Sequence, residues 1–206
     1  IPWAHAAAVT RLLSLISRMA RQYTGTPGRR HPFSLGTDSL CPYLQAMSSI
    51  RHLDPSRFSS WILKTRRAYH SQYYAMYSSV YEGIVTDPVL MLVPVDDHMV
   101  HRGDAVFETL KCVRGGIYNM RAHLDRLASS ARGLSLDLPC SEKELSEIVV
   151  QTVFAGGRPD CLVRLLLSRG PGSLGVNPYD CPAPALYVVV SEYKKPFMDL
   201  HPEGAT

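Results

Sequence analysis

Between Ala105 and Leu127 an apolar strand pattern, a tight turn and a helical pattern follow one another with almost nothing in between. Ala105 to Val113 reads as a buried strand, and Gly115-Gly116 marks a turn before a short strand at Ile117–Asn119. Leu124, Leu127, Ala128 and Ala131 then recur at helical spacing, which predicts a helix over 121–134. A strand joined this tightly to a helix must lay that helix back on its own sheet, so the segment commits the chain to a layered fold.

The flanking sequence fits that frame. Ser141 and Glu144 form a capping box, Leu145, Ile148, Val149 and Thr152 make one face, and Gly156-Gly157 ends a second helix. Cys161–Leu167 and Ala185–Val190 read as buried strands around a long Gly/Pro loop. Pro88–Val95 reads as another, closed by Asp96-Asp97. Upstream, Asp54-Pro55 starts a helix running through Trp61 toward Tyr69, and YYAMYSSVYEGIVTDP gives a strand, a turn near Glu82-Gly83 and a second strand's approach. Tyr73, Tyr74, Tyr77 and Tyr81 are read as packing residues. Mixed strands with two helices between them indicate an α+β or layered α/β domain.

The 206 residues could bury a sizeable core, and the net charge of +4 is local. Residues 1–37 carry five arginines and no acid, and the remainder holds 17 basic and 18 acidic groups. The body is therefore neutral and shows no nucleic-acid footprint. The leader, with arginines between helically spaced apolar residues, has the composition of an organelle transit peptide or of a disordered N-terminus. The first reading places the protein in a plastid or mitochondrion, the second in the cytoplasm. Five widely spaced cysteines argue for reduced thiols in an intracellular compartment, and no apolar run approaches the ~18 residues that would cross a bilayer.

Few residues stand out as chemistry. Asp96, Asp97, His98 and His101 crowd one turn without a helical His-x-x-x-His face, so they read as solvated turn residues with one capping role and not as metal ligands. Arg126 lies beside Leu127 at the edge of the helix's apolar face, where it either snorkels or reaches an anion. Arg164 interrupts a strand of Leu and Val, where a cation must be paired or exposed to a cavity. Arg169 ends that strand at a position able to face a cleft. Together the three arginines suit a ligand with several anionic groups.

The order His101-Arg102-Gly103-Asp104-Ala105-Val106-Phe107-Glu108, followed by His123-Leu124-Asp125-Arg126-Leu127, resembles the class IV aminotransferases, the pyridoxal-phosphate enzymes of fold type IV. The likeness spans about residues 74–195 and leans toward plant members at Tyr74–Ser79 and Asp96–Arg102. It implies pyridoxal 5′-phosphate as cofactor, amino acids and 2-oxo acids as substrates, and a homodimer without membrane or nucleic-acid partners. It implies that Arg126 binds the cofactor phosphate, that Phe107 and Arg102 lie on the substrate side, and that Arg164 or Arg169 receives a substrate carboxylate. Ser168-Arg169-Gly170 resembles D-amino-acid transaminases and aminodeoxychorismate lyases. Gly175-Val176-Asn177-Pro178 resembles branched-chain enzymes.

The family joins its cofactor to a lysine that, by this likeness, falls roughly 15–25 residues past Thr206. Lys64, Lys111, Lys143, Lys194 and Lys195 do not match it. The expected organisation is a leader over 1–37, a helical segment over 38–72, the family's small domain over 73–195 and the start of an interdomain linker over 196–206. The chain alone is then expected to be inactive. A lyase of the same family, or a non-catalytic fragment that pairs with complete subunits, is the alternative.

Overall fold

The structure, a computed structural model, describes residues 52–194; the expected leader and linker lie outside them. The chain divides into two compact units, residues 1–64 and 65–206. In the first, helix α1 (Pro55–Ile62) starts where Asp54 accepts the Arg57 N–H at 2.9 Å and Pro55 presets the first turn. It ends well short of Tyr69.

The second unit is a six-stranded sheet with helices on one face. Its strands are β1 (Tyr73–Ser78), β2 (Gly83–Val85), β3 (Ala105–Val113), β4 (Gly116–Ile117), β5 (Cys161–Ser168) and β6 (Ala185–Ser191). The order is β2-β1-β6-β5-β3-β4 and every ladder is antiparallel, where mixed pairing was expected. The reason lies in the paired helices α3 (Met120–Gly133) and α4 (Glu142–Gly156), which separate β3 from β5. One helix would carry the chain to the far end of the sheet and give a parallel strand. Two return it to the end it left, where the Gly115 N–H meets the Pro159 carbonyl at 2.8 Å and Cys112 faces Cys161.

Local chemistry accounts for the boundaries. Arg114 and Gly115, both at positive φ, form a two-residue turn that closes β3 onto β4. The capping box at Ser141 is present, with Glu144 returning to the Ser141 N–H at 2.9 Å, and Gly157 ends α4 in the left-handed region. Alternation then sorts β3. Leu110 and Cys112 point to the helices and are fully buried, while Phe107 and Lys111 point away. Leu110 shares one buried cluster with Val163 and Leu165 of β5, Leu124 and Leu127 of α3, and Val149 of α4. Each fully buried Leu or Val in that layer contributes roughly 1.5–3 kcal/mol.

One expected strand does not form. Pro88–Val95 holds a 3-10 turn at Pro88–Leu90 and then irregular chain, with Val95 largely exposed. Two prolines remove ladder donors, and the Asp87 carboxylate accepts from the Val89 N–H, turning the chain at the point where a strand would extend. The tyrosines pack as expected at Tyr74 and Tyr77, whereas Tyr73 is partly exposed. Tyr81 gives its hydroxyl proton to the Leu92 carbonyl. No helix among the described residues is long and apolar enough to cross a membrane.

Candidate functional site

Strand β3 has a ladder partner on its outer side only at Cys112 and Val113, and the Lys111 carbonyl accepts the Tyr118 N–H, so from Ala105 to Leu110 that edge is open among the described residues. The two residues in the middle of the open stretch point to opposite faces. Phe107, 66% exposed, projects onto the helix-free face, and Glu108, 4% exposed, turns under α3.

Glu108 is a carboxylate on the inner register of an apolar strand, which demands cationic partners. One cation, Arg126, and one imidazole, His123, reach it from successive turns of α3. Arg126 donates from Nε to Oε1 and from Nη2 to Oε2, both at 2.5 Å, and His123 Nδ1 lies 2.9 Å from Oε2. Spacing of three along a helix puts both side chains over the same point on the strand. The Arg126 hydrogen bonds, aided by His123 and opposed by burial, hold the Glu108 carboxyl below its ordinary value of 4.5. A depressed carboxyl stabilises the fold above that ordinary value, and the contribution disappears as pH falls through the lower folded value. Urea unfolding of the native chain and of Glu108→Gln should therefore differ near neutrality and converge as pH falls below the ordinary carboxylate range; a gap that stays constant with pH would contradict this origin.

The sequence reading offered Arg126 as an anion ligand or a snorkelling side chain, and the structure gives it a third partner inside the protein. Its Nε–Nη2 side is taken by Glu108. Nη2 also lies 3.4 Å from His123 Nδ1, and Nη1 has no hydrogen-bond partner among the described residues, on a side chain that is 66% exposed. A guanidinium has two usable forks, and this one presents the second to solvent at the open edge of β3. That edge fits a phosphate or carboxylate group.

The helix-free face carries the other candidates. Thr109 pairs with Arg164, which pairs in turn with Val189, and the adjacent rung aligns Phe107, Leu166 and Tyr187. Arg164 is thus exposed on an apolar floor and makes no ion pair among the described residues, which resolves the apparent anomaly of a cation in CLVRLLLS. Arg102 ends the short helix α2 (His98–Arg102), exposed and likewise without an ion pair among the described residues.

Arg169 is different. It donates from Nε and Nη2 to the Asp104 carboxylate, at 2.5 and 3.1 Å, and from Nη2 and Nη1 to the Leu134 and Ser135 carbonyls at the end of α3. These bonds tie the start of β3, the end of β5 and the end of a helix together and leave the side chain 20% exposed. The cleft-facing arginine expected at this position is a structural clamp. Asp97 and His98 also depart from expectation. Asp97 does cap α2, accepting from the Met99 N–H at 2.9 Å, yet both residues are buried where solvated turn residues were expected. Asp97 accepts the Ser168 hydroxyl proton and, at 2.6 Å, that of Tyr187, while His98 Nε2 meets the Ser173 carbonyl. No group of His, Cys, Asp and Glu among the described residues has the arrangement of a metal site.

The site therefore straddles one strand edge, with the Arg126 fork on the helix side and Phe107, Thr109 and Arg164 on the other. Glu108, which anchors the first half, was not singled out in the sequence. Strand parity alone marked it as an inward-facing acid.

Residues 105–201 match the family model described as amino-transferase class IV. The D-amino-acid transaminase, chloroplastic, of Arabidopsis thaliana is 44% identical over 119 residues, covering 58% of this chain and 32% of that protein. A putative branched-chain-amino-acid aminotransferase of Methanocaldococcus jannaschii is 34% identical over 97 residues, covering 47% of this chain and 34% of that protein. Among solved structures, the T.th. branched-chain amino acid aminotransferase complexed with N-(5′-phosphopyridoxyl)-L-glutamate superposes with a TM-score of 0.53 at 25% identity, covering 59% of this chain and 41% of that one. The chain thus spans about a third of the length of the curated relatives it matches. Residues 105–201, which hold β3, the Gly turn and the Arg126 helix, are thus similar to the class IV aminotransferases.

Proposed function

We propose that residues 73–195 form the small domain of a pyridoxal-phosphate-dependent amino-acid aminotransferase, one that handles D-amino acids or branched-chain amino acids and 2-oxo acids. The observation that carries this reading is the pair of open guanidinium groups on either side of one strand edge. Arg126 offers a fork at the helix side, and Arg164 stands on the apolar floor beside Phe107 with no ion pair among the described residues. A ligand with a phosphate at one end and a carboxylate at the other would use both groups.

Pyridoxal phosphate supplies the electron sink that lets an amino group pass between amino and 2-oxo acids. The residues of this chain bind and orient. Arg126 holds the phosphate, Phe107 and Leu166 shape an apolar wall, and Arg164 reads a carboxylate. Arg102, at the same end of β3 as Phe107, adds positive charge near the substrate. Arg169 spends four of its five N–H donors inside the protein and keeps the strand ends in place. The lysine that bonds the cofactor has no counterpart among the described residues. Lys111 lies on the floor beyond Thr109, but its hydrogen bond to Tyr193 raises its pKa, and a nucleophilic amine needs the opposite shift. Homodimerisation and a plastid location follow the same reading, the latter supported by a relative named as chloroplastic.

Pyridoxamine 5′-phosphate, which lacks an aldehyde and so ignores surface lysines, is the direct probe. Arg126→Lys keeps the charge but loses the fork, and should weaken binding to the chain by about ten-fold, equivalent to ~1.4 kcal/mol. Equal affinities in a calorimetric or NMR titration would remove Arg126 from the site.

A further inference from the structure

We propose that Glu108 is the positioning residue of the anion seat, fixing Arg126 so that its second fork is already aimed when a phosphate arrives. The inference rests on the reading of Arg126 as the phosphate ligand, and it assigns a role to a residue that never touches the phosphate. A carboxylate beside an anion site ought to be harmful, since it repels the ligand and cancels the arginine's charge. Its presence needs a compensating gain, and the geometry supplies one.

An arginine side chain at the surface of a helix samples many rotamers, and ordering it on binding costs affinity. Here the ordering is complete beforehand. Glu108 is held by the strand, nearly without exposure, and takes both the Nε–H and an Nη2–H of Arg126. Two bonds from one planar group fix its plane as well as its position. His123 completes the clamp by donating from Nδ1 to Oε2, so the carboxylate is itself held from a second side. The repulsion is moderated for the same reason, because Glu108 faces the Arg126 guanidinium and the His123 imidazole and lies on the buried side of the guanidinium. The ligand meets the outward end, Nη1 and the remaining hydrogen of Nη2.

This arrangement makes a prediction opposite in sign to simple electrostatics. Glu108→Gln removes a negative charge near the seat, so Coulomb's law alone predicts that inorganic phosphate binds several-fold tighter. If Glu108 positions Arg126, phosphate binds more weakly, by roughly 2- to 10-fold, the range expected for losing one preorganised long side chain. Glu108→Asp keeps the charge and withdraws the carboxylate by one methylene, so it too should weaken binding while electrostatics alone predicts no change. Phosphate titrations of the native chain and both variants, followed on the Arg126 Nε–H resonance, separate the cases. That resonance should be sharp in the native chain without phosphate and exchange-broadened in both variants, which a purely structural role elsewhere in the core would not produce. If either variant fails to fold, the other carries the test, and folding is checked independently by the retained amide dispersion of β5 and β6. Weaker binding with a broadened resonance supports the proposal. Native-like or tighter binding in the folded variants overturns it while leaving Arg126 as the ligand. An unperturbed Arg126 resonance in the native chain at saturating phosphate overturns the reading of Arg126 itself, and this inference with it.

Discussion

Gly170→Ala should destabilise the second unit by about 3 kcal/mol or more, enough to leave much of the protein unfolded at physiological temperature. Gly170 sits at φ +100, in a region closed to residues with a side chain, and a Cβ built there would lie 2.0 Å from the Ala183 carbonyl oxygen. The backbone cannot swing away cheaply. The Gly170 N–H is bound to the Ser168 hydroxyl at 3.1 Å, and its carbonyl accepts the His98 N–H at 3.1 Å. Movement would pull on α2 and on the end of β5 together. Gly115→Ala is the control, with a positive φ of 78 but nothing within 4 Å of the added carbon. It should cost only the backbone preference, about 1 kcal/mol. Denaturant unfolding of the two variants measures both, and equal costs would show that the contact with Ala183 relaxes freely.

What the sequence made legible was local. The strand over Ala105–Val113 and the capping box at Ser141 were readable because each is written in a few neighbouring residues whose chemistry is self-contained. The failures share a different cause. Pro88–Val95 is as apolar as a buried strand, but apolarity does not supply a ladder partner, and its two prolines made one harder to find. Arg169 looked free because its main partner, Asp104, lies 65 residues away in sequence, and its second set of acceptors appears only where α3 happens to end. Glu108 was half visible. The strand expected over Ala105–Val113 puts Glu108 on the same side as Leu110, and an inward acid requires a cation, though nothing in the sequence reading drew on this. What alternation could not say is that the cation would be Arg126, the residue already wanted for the phosphate. The proposed reading asks both of one arginine, whose guanidinium has two forks, and the structure shows one of them taken by Glu108.

The same distinction between near and distant partners makes Asp97 the second position of large expected effect. In sequence it belongs to a charged turn, and its cap on Met99 could be replaced by water at little cost. In the structure it is fully buried, and two further donors reach it, Ser168 from 71 residues away and Tyr187 from 90. Burial pushes the Tyr187 phenol up, so its hydroxyl keeps its proton and must give it to an acceptor. Asp97→Ala leaves that hydroxyl, the Ser168 hydroxyl and the Met99 N–H without their acceptor, at about 1–3 kcal/mol for each buried group left unpaired. The sum exceeds what the site will show, because the turn relaxes, and a total loss of about 3–5 kcal/mol is expected. Tyr187→Phe removes one donor and leaves Asp97 with two, so it should cost only about 1–2 kcal/mol. The double variant discriminates between a network and independent contacts. With Tyr187 already replaced, Asp97→Ala has one fewer group to orphan, and its cost should shrink by at least about 1 kcal/mol. Strict additivity in urea unfolding would mean that the Asp97–Tyr187 contact contributes nothing. In that case Asp97 would join α2 to the end of β5 through the Met99 N–H and the Ser168 hydroxyl alone.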